Sequence, residues 1–100
     1  MSSSTFAPRI IRHLLPKGMV EFAIHEVYHK PDGSIDGITV HARSVRCRSV
    51  KELRQWIHDS ITRGEDIVCG DLGYQHTIDE LRWWSENAEL PVLDFQVITT

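Results

Sequence analysis

His25, His29 and His41 are the side chains of this sequence best suited to holding an ion, since imidazoles lying along or diagonally across a hairpin can converge on a metal such as Zn²⁺. The spacing argues against it. His25 and His29 stand about 13 Å apart on an extended strand at ~3.3 Å per residue, no carboxylate or thiol is committed as a further ligand, and a solvent-facing polar sheet face accounts for the same residues. No metal and no cofactor are expected.

Two other groups invite chemistry. Arg43, Arg46, Arg48, Lys51 and Arg54 surround a helix start at Ser49, where free N–H groups and the helix dipole favour an anion such as a phosphate or a nucleic-acid backbone. No aromatic platform accompanies the charges, and a basic edge that answers acidic groups of protein is the simpler account. For acid–base or nucleophilic work the best pairs are Asp71 with His76 and Cys69 with His76. Nothing orients a third member, and Gly70-Asp71-Leu72-Gly73 lacks the spacing of a phosphate-cradling loop, so the chain is read as non-catalytic.

Trp83 offers a different kind of chemistry. Helical spacing puts Trp84 in a stripe with Leu81 and Ala88 and turns Trp83 about 100° away, where it either borders the core or stands exposed as an anchor for a partner. Asp79, Glu80, Glu86 and Glu89 surround it with negative charge.

Composition sets the frame for these groups. The chain has 100 residues, 41% hydrophobic and 25% charged, which is ordinary globular composition with room for one modest core. Residues 1–63 carry ten basic against six acidic side chains, and residues 64–100 one against eight, for a net charge of −3. That asymmetry favours a charged protein interface and disfavours a nucleic-acid binder, whose excess is normally positive. Cys47 and Cys69 match no metal-ligand spacing and read as buried thiols. No apolar run approaches the roughly 18 residues a spanning helix needs, and Arg12 and His13 interrupt the Ile10-Ile11 and Leu14-Leu15 pairs, so a cytoplasmic protein without membrane contact is expected.

The elements follow from punctuation and periodicity. Residues 1–18, bracketed by Pro8 and Pro16, read as an N-terminal arm, and residues 19–100 as a single α+β domain. Met19 to His29 alternates as a half-buried strand, and Lys30-Pro31-Asp32-Gly33-Ser34 turns it into a returning strand from Ile35 to Arg43. Pairing Lys30 with Ser34 sets Phe22, Ile24 and Glu26 against Ala42, Val40 and Ile38, and gathers the histidines on the other face. Ser44 to Arg48 offers a further short strand. Ser49-x-x-Glu52 and Thr77-x-x-Glu80 are capping boxes that open two helices. The first has the stripe Leu53, Trp56, Ile57, Ser60 and Ile61 and stops at Gly64; the second runs from Ile78 to Ala88. Between them Asp66 to Cys69 reads as a buried strand and Gly70 to Tyr74 as a loop, and Val92 to Ile98 closes the domain. The order is ββ(β)αβαβ, with both helices packed on one face of a mixed or antiparallel sheet.

The segment Ile24-His25-Glu26-Val27-Tyr28, the Asp32-Gly33 turn, Gly37-Ile38-Thr39, the Ser49…Glu52-Leu53 helix start and Pro91-Val92-Leu93-Asp94-Phe95 together resemble a family of small uncharacterised bacterial proteins. The resemblance covers about residues 20–57 and 91–95 and implies the hairpin-plus-helix fold, but no activity or site. The strand order is also similar to that of HicB-type antitoxins, although the Pro-Gly-Cys loop such proteins often carry is absent here.

The expected function is a non-catalytic protein–protein interaction module, either a small phage or mobile-element inhibitor of a host complex or an oligomerising accessory protein. Its partner surface is Trp83 with Asp79, Glu80 and Glu86. The alternative is an anion or nucleic-acid binding regulator that uses segment 43–54.

Overall fold

The computed structural model describes residues 5–95. Its order is β1 (Thr5–Leu14), a short 3₁₀ turn (Pro16–Gly18), β2 (Val20–His29), β3 (Ile35–Ile38), α1 (Val50–Arg63), β4 (Ile67–Cys69), β5 (Tyr74–His76), α2 (Ile78–Asn87) and β6 (Leu93–Phe95). The four-stranded sheet runs β3-β2-β1-β6, with β4 and β5 forming a separate two-stranded ribbon. The β1–β6 pair is parallel and the other pairs are antiparallel, so the α+β sheet is mixed.

Both helices start as their sequences dictate. Ser49 Oγ accepts from the Glu52 amide at 3.1 Å and Thr77 Oγ1 from the Glu80 amide at 3.2 Å, which satisfies one free donor at each helix start. Gly64 ends α1 with φ 71°, a left-handed position where a Cβ would be strained. Leu53 and Ile57 of α1 and Leu81, Trp84 and Ala88 of the α2 region pack with Ile10 of β1 and Ile24 of β2, so both helices cover the same sheet face. Trp56 and Phe22 border this core.

Thr5–Leu14, expected within an arm, is an interior strand. It pairs with β2 over its whole length, from Thr5 opposite His29 to Leu14 opposite Val20, and with β6 at Ile11 to His13. Ile10 points to the helices and Ile11 to the opposite face, and both are buried. A strand covered on both sides loses the apolar–polar alternation that marks half-buried strands, and for that reason the segment did not read as one. Pro8 lies before the β6 pairing begins, on a stretch of β1 where no outer ladder asks for its missing N–H.

The hairpin turn forms as expected, with the Lys30 amide donating to Ser34 O at 2.8 Å. The register beyond it differs. A bulge at Tyr28/His29 sets Ile38 opposite Val27, one residue from the expected Glu26. The edge then swings out: Thr39 donates to Glu26 O and Arg43 to Ile24 O, so four residues of the edge answer two of β2. Val40, expected in the core, sits on this excursion and is 76% exposed. The further strand expected at Ser44 to Arg48 is reduced to one bridge between Cys47 and Phe22. Tyr74, placed at the end of a loop, begins β5. The closing strand expected to reach Ile98 is β6 up to Phe95, and the rest of that expectation lies outside the described residues. Among the described residues no helix is long and apolar enough to cross a membrane.

Candidate functional site

The sheet face turned away from the helices holds a buried polar cluster. His13 and His25 come from β1 and β2, four register positions apart, with Ile11 opposite Ala23 between them. Their Nε2 atoms nevertheless lie 2.8 Å apart and their ring centroids 4.8 Å apart. On the far side of each ring, Arg46 Nη1 stands 2.9 Å from His13 Nδ1, and His25 Nδ1 stands 2.8 Å from Thr39 O.

These contacts fix every ring proton. A guanidinium only donates, so His13 Nδ1 is bare and its hydrogen is on Nε2; that hydrogen points to a bare His25 Nε2, leaving His25 Nδ1–H to donate to the Thr39 carbonyl, which only accepts. The result is one directed chain, Arg46 to His13 to His25 to Thr39, with both imidazoles neutral. Burial pushes His25 down to about 4, with His13 and Arg46 adding to it and the Thr39 carbonyl opposing. Burial also lowers His13, with the Arg46 charge second and Glu21 and Asp71 opposing.

Arg46 is itself fully engaged. It forms a bidentate pair with Asp71, Nε to Oδ1 at 3.0 Å and Nη2 to Oδ2 at 2.6 Å, and approaches Glu21 at 3.5 Å. Asp71 Oδ2 also accepts from the Ala42 amide at 3.0 Å, and Arg46 holds the Asp71 carboxyl down at about 2. The β4–β5 turn delivers Asp71. Gly70 has φ 94°, and a Cβ there would lie 2.7 Å from both Ala42 O and Arg43 O, so only glycine lets the turn approach this closely. His13, Leu14, Leu15, Val40, His41, Arg46 and Asp71 line a cavity of about 200 Å³ beside the cluster.

The expected histidine trio does not assemble. His25 is buried against His13, His29 is 3.3 Å from Gly33 O, and His41 stands exposed with Nδ1 3.9 Å from Asp71 Oδ2. Among the described residues no group of three or more His, Cys, Asp or Glu side chains is arranged to hold a metal. Neither expected catalytic pair forms a bond. His76 is buried, with Nδ1 2.9 Å from Glu80 and its ring edge-on to Trp84, while burial pushes the Cys69 thiol up to about 11 as it donates to Arg43 O.

The basic segment is largely spent inside the molecule. Arg43 stacks over Tyr74 at 4.4 Å and lies 3.6 Å from Glu26, Arg46 is in the cluster, and Arg54 donates to Ala88 O at 2.9 Å. Arg48 and Lys51 are exposed at the helix start.

Trp83 occupies a second region, at the far end of β1. Its ring lies 5.6 Å from Phe6, which lies 5.6 Å from Tyr28, so three elements contribute to one aromatic patch. Trp83 is 37% and Phe6 45% exposed. Among its acidic neighbours Asp79 pairs with Arg82 at 3.3 Å and Glu80 with His76, whereas Glu86 is exposed.

His13 and Phe6 were the residues that sequence reasoning missed. A strand-length run ending at Leu14, followed by Pro16-Lys17-Gly18 and then by an alternating strand, is a hairpin signal that would have placed both. No family model matches the chain, and neither the curated proteins nor the solved structures give a match.

Proposed function

We propose that this chain is a non-catalytic protein-interaction module whose contact surface is the aromatic patch of Trp83, Phe6 and Tyr28, bordered by Asp79, Glu80 and Glu86. The observation that carries the reading is the exposure of two large rings from separate elements, held against each other at 5.6 Å at the protein surface. Rigid aromatic groups that keep apolar area in water gain most from a partner that removes it, and such groups dominate interface energetics. Self-association is one form of this function, and inhibition of a host complex by a small phage or mobile-element protein is another.

Two features support the non-catalytic part. Both Asp71 oxygens are committed to Arg46 and the Ala42 amide, and His76 is buried against Glu80 and Trp84. The anion-binding alternative is weakened by the internal partners of Arg43, Arg46 and Arg54.

Sedimentation of the full chain over a concentration series, with and without Phe6→Ser plus Trp83→Ala, tests the self-associating form. Self-association weakened at least tenfold in the double variant supports the patch. Association unchanged by the double variant, or salt-sensitive nucleic-acid binding lost on substituting Arg48 and Lys51, would favour the alternative.

A further inference from the structure

We propose that His13 and His25 form a proton-operated latch that holds the bulged segment 39–46 against β2 and releases it on acidification. The inference comes from the direction of the hydrogen bonds and is independent of the Trp83 patch. Every ring nitrogen has a partner, His25 Nδ1 standing 3.3 Å from Thr39 Oγ1 as well as beside Thr39 O, and the pattern closes only with both rings neutral. An added proton has two places to go. On His13 Nδ1 it faces the Arg46 Nη1–H group, and on His25 Nε2 it faces the His13 Nε2–H group. Either choice sets donor against donor and puts a cation beside the guanidinium in a buried site, so the partners must separate.

The structure also indicates which side moves. His13 and His25 sit on strands paired over ten residues. Thr39 and Arg46 sit on the excursion of the edge, which is tied to β2 by the Thr39 and Arg43 amides and the Cys47 bridge, and to the β4–β5 turn by Ala42 and Asp71. Ser44 Oγ, Thr39 Oγ1 and the Cys69 thiol add side-chain bonds, but the excursion has no continuous backbone ladder like that joining β1 and β2, so it yields first. The other charged or titratable groups facing the pair are Glu21, 3.5 Å from Arg46; Asp71, bonded to Arg46; His41, 3.9 Å from Asp71; and Arg9, opposite His25 in the register. Glu21 and Asp71 favour the added proton, and Arg46 and burial oppose it, with burial the largest influence on both rings. Release would open the cavity beside Leu14 and Leu15 and free the Arg46 guanidinium from His13.

Histidine ring ¹⁵N shifts and amide hydrogen exchange of the labelled full chain, followed from pH 7.5 to pH 3.5, test the latch. The expected result is His13 as the Nε2–H and His25 as the Nδ1–H tautomer at the upper pH. On acidification, protection at Thr39, Arg43 and Asp71 should fall at least tenfold together with ring protonation, while Leu53 and Ile57 in α1 keep theirs. Other tautomers, ring protonation without loss of protection at the excursion, or simultaneous loss of protection throughout the chain would each overturn the proposal. The double variant His13→Phe plus His25→Phe removes both titrating rings and should abolish the acid-induced loss of protection at Thr39 and Arg43; an unaltered acid response in that variant also overturns it. If that variant does not fold, the tautomers and exchange of the unaltered chain decide alone.

Discussion

The polar cluster on one sheet face and the aromatic patch at the far end of β1 invert the usual distribution of residues in opposite ways. The first buries two histidines beneath an arginine and an aspartate that stay partly exposed, and the second leaves a tryptophan and a phenylalanine partly in water. The cluster has the residue types of an active site, yet its donors and acceptors are matched internally, from Asp71 through Arg46, His13 and His25 to Thr39. The patch has no chemistry to offer but retains apolar area that a partner can cover. Residue type alone would point to the cluster, whereas uncovered apolar area points to the patch, on which the proposed function rests.

Substitutions in the two regions should separate their roles. The largest effect is expected for Trp84→Ala, which removes the indole that joins α2 to the core and should cost about 3 to 5 kcal/mol, read as a loss of folded protein in thermal unfolding. Trp83, its neighbour, belongs to the patch and should behave differently.

Gly70→Ala should come next. Its φ of 94° and the 2.7 Å approach to two carbonyls force the turn away from Ala42, taking Asp71 from Arg46, at a cost of about 2 kcal/mol or more by denaturant titration. Wild-type stability at Gly70→Ala would mean that the turn does not hold the cluster.

Acid should destabilise the protein through the cluster. The His25 imidazole is held down at about 4 against its ordinary value of 6.5, so the unfolded chain takes up the proton more readily. The stability this contributes is full above pH 6.5 and is lost as pH falls towards 4, by at most about 1.4 kcal/mol per pH unit for one such group. Asp71, lowered to about 2, acts in the same direction only below its ordinary value of 3.8, outside the upper part of that window. Denaturant midpoints at pH 7 and pH 5 measure the difference; equal midpoints would remove the neutral pair from the account. The smallest effect is expected at Val40, whose exposed position on the excursion should let Val40→Ser change stability by no more than about 0.5 kcal/mol.

Local signals were legible in the sequence and long-range pairings were not. Ser49, Thr77 and Gly64 mark the helices because caps depend on groups within a few residues, and the hairpin turn at Asp32-Gly33 is equally local. The two capping glutamates already depart from the local pattern. Glu52 takes the Arg48 amide at 3.4 Å, and Glu80 takes the His76 ring. β1 was hidden because burial on both faces erases alternation. With β1 absent from the reading, neither His13 beside His25 nor Phe6 beside Trp83 was accessible. The Val40 expectation failed because a bulge shifts register without any change in the hydrophobic pattern. Arg46 and Asp71 meet only through the close approach of Gly70, a tertiary event that spacing does not encode.

The most direct measurement is a paired comparison, by sedimentation of the full chain over a concentration series, of Trp83→Ala with Asp71→Asn. The patch account predicts that Trp83→Ala weakens association by about 2 kcal/mol with a stability change of about 1 kcal/mol, because the residue anchors a complex and makes only an edge contact at home. Asp71→Asn should lower stability while leaving the association of the folded protein unchanged. Association insensitive to Trp83→Ala but lost with Asp71→Asn would contradict the account and move the functional site to the polar cluster.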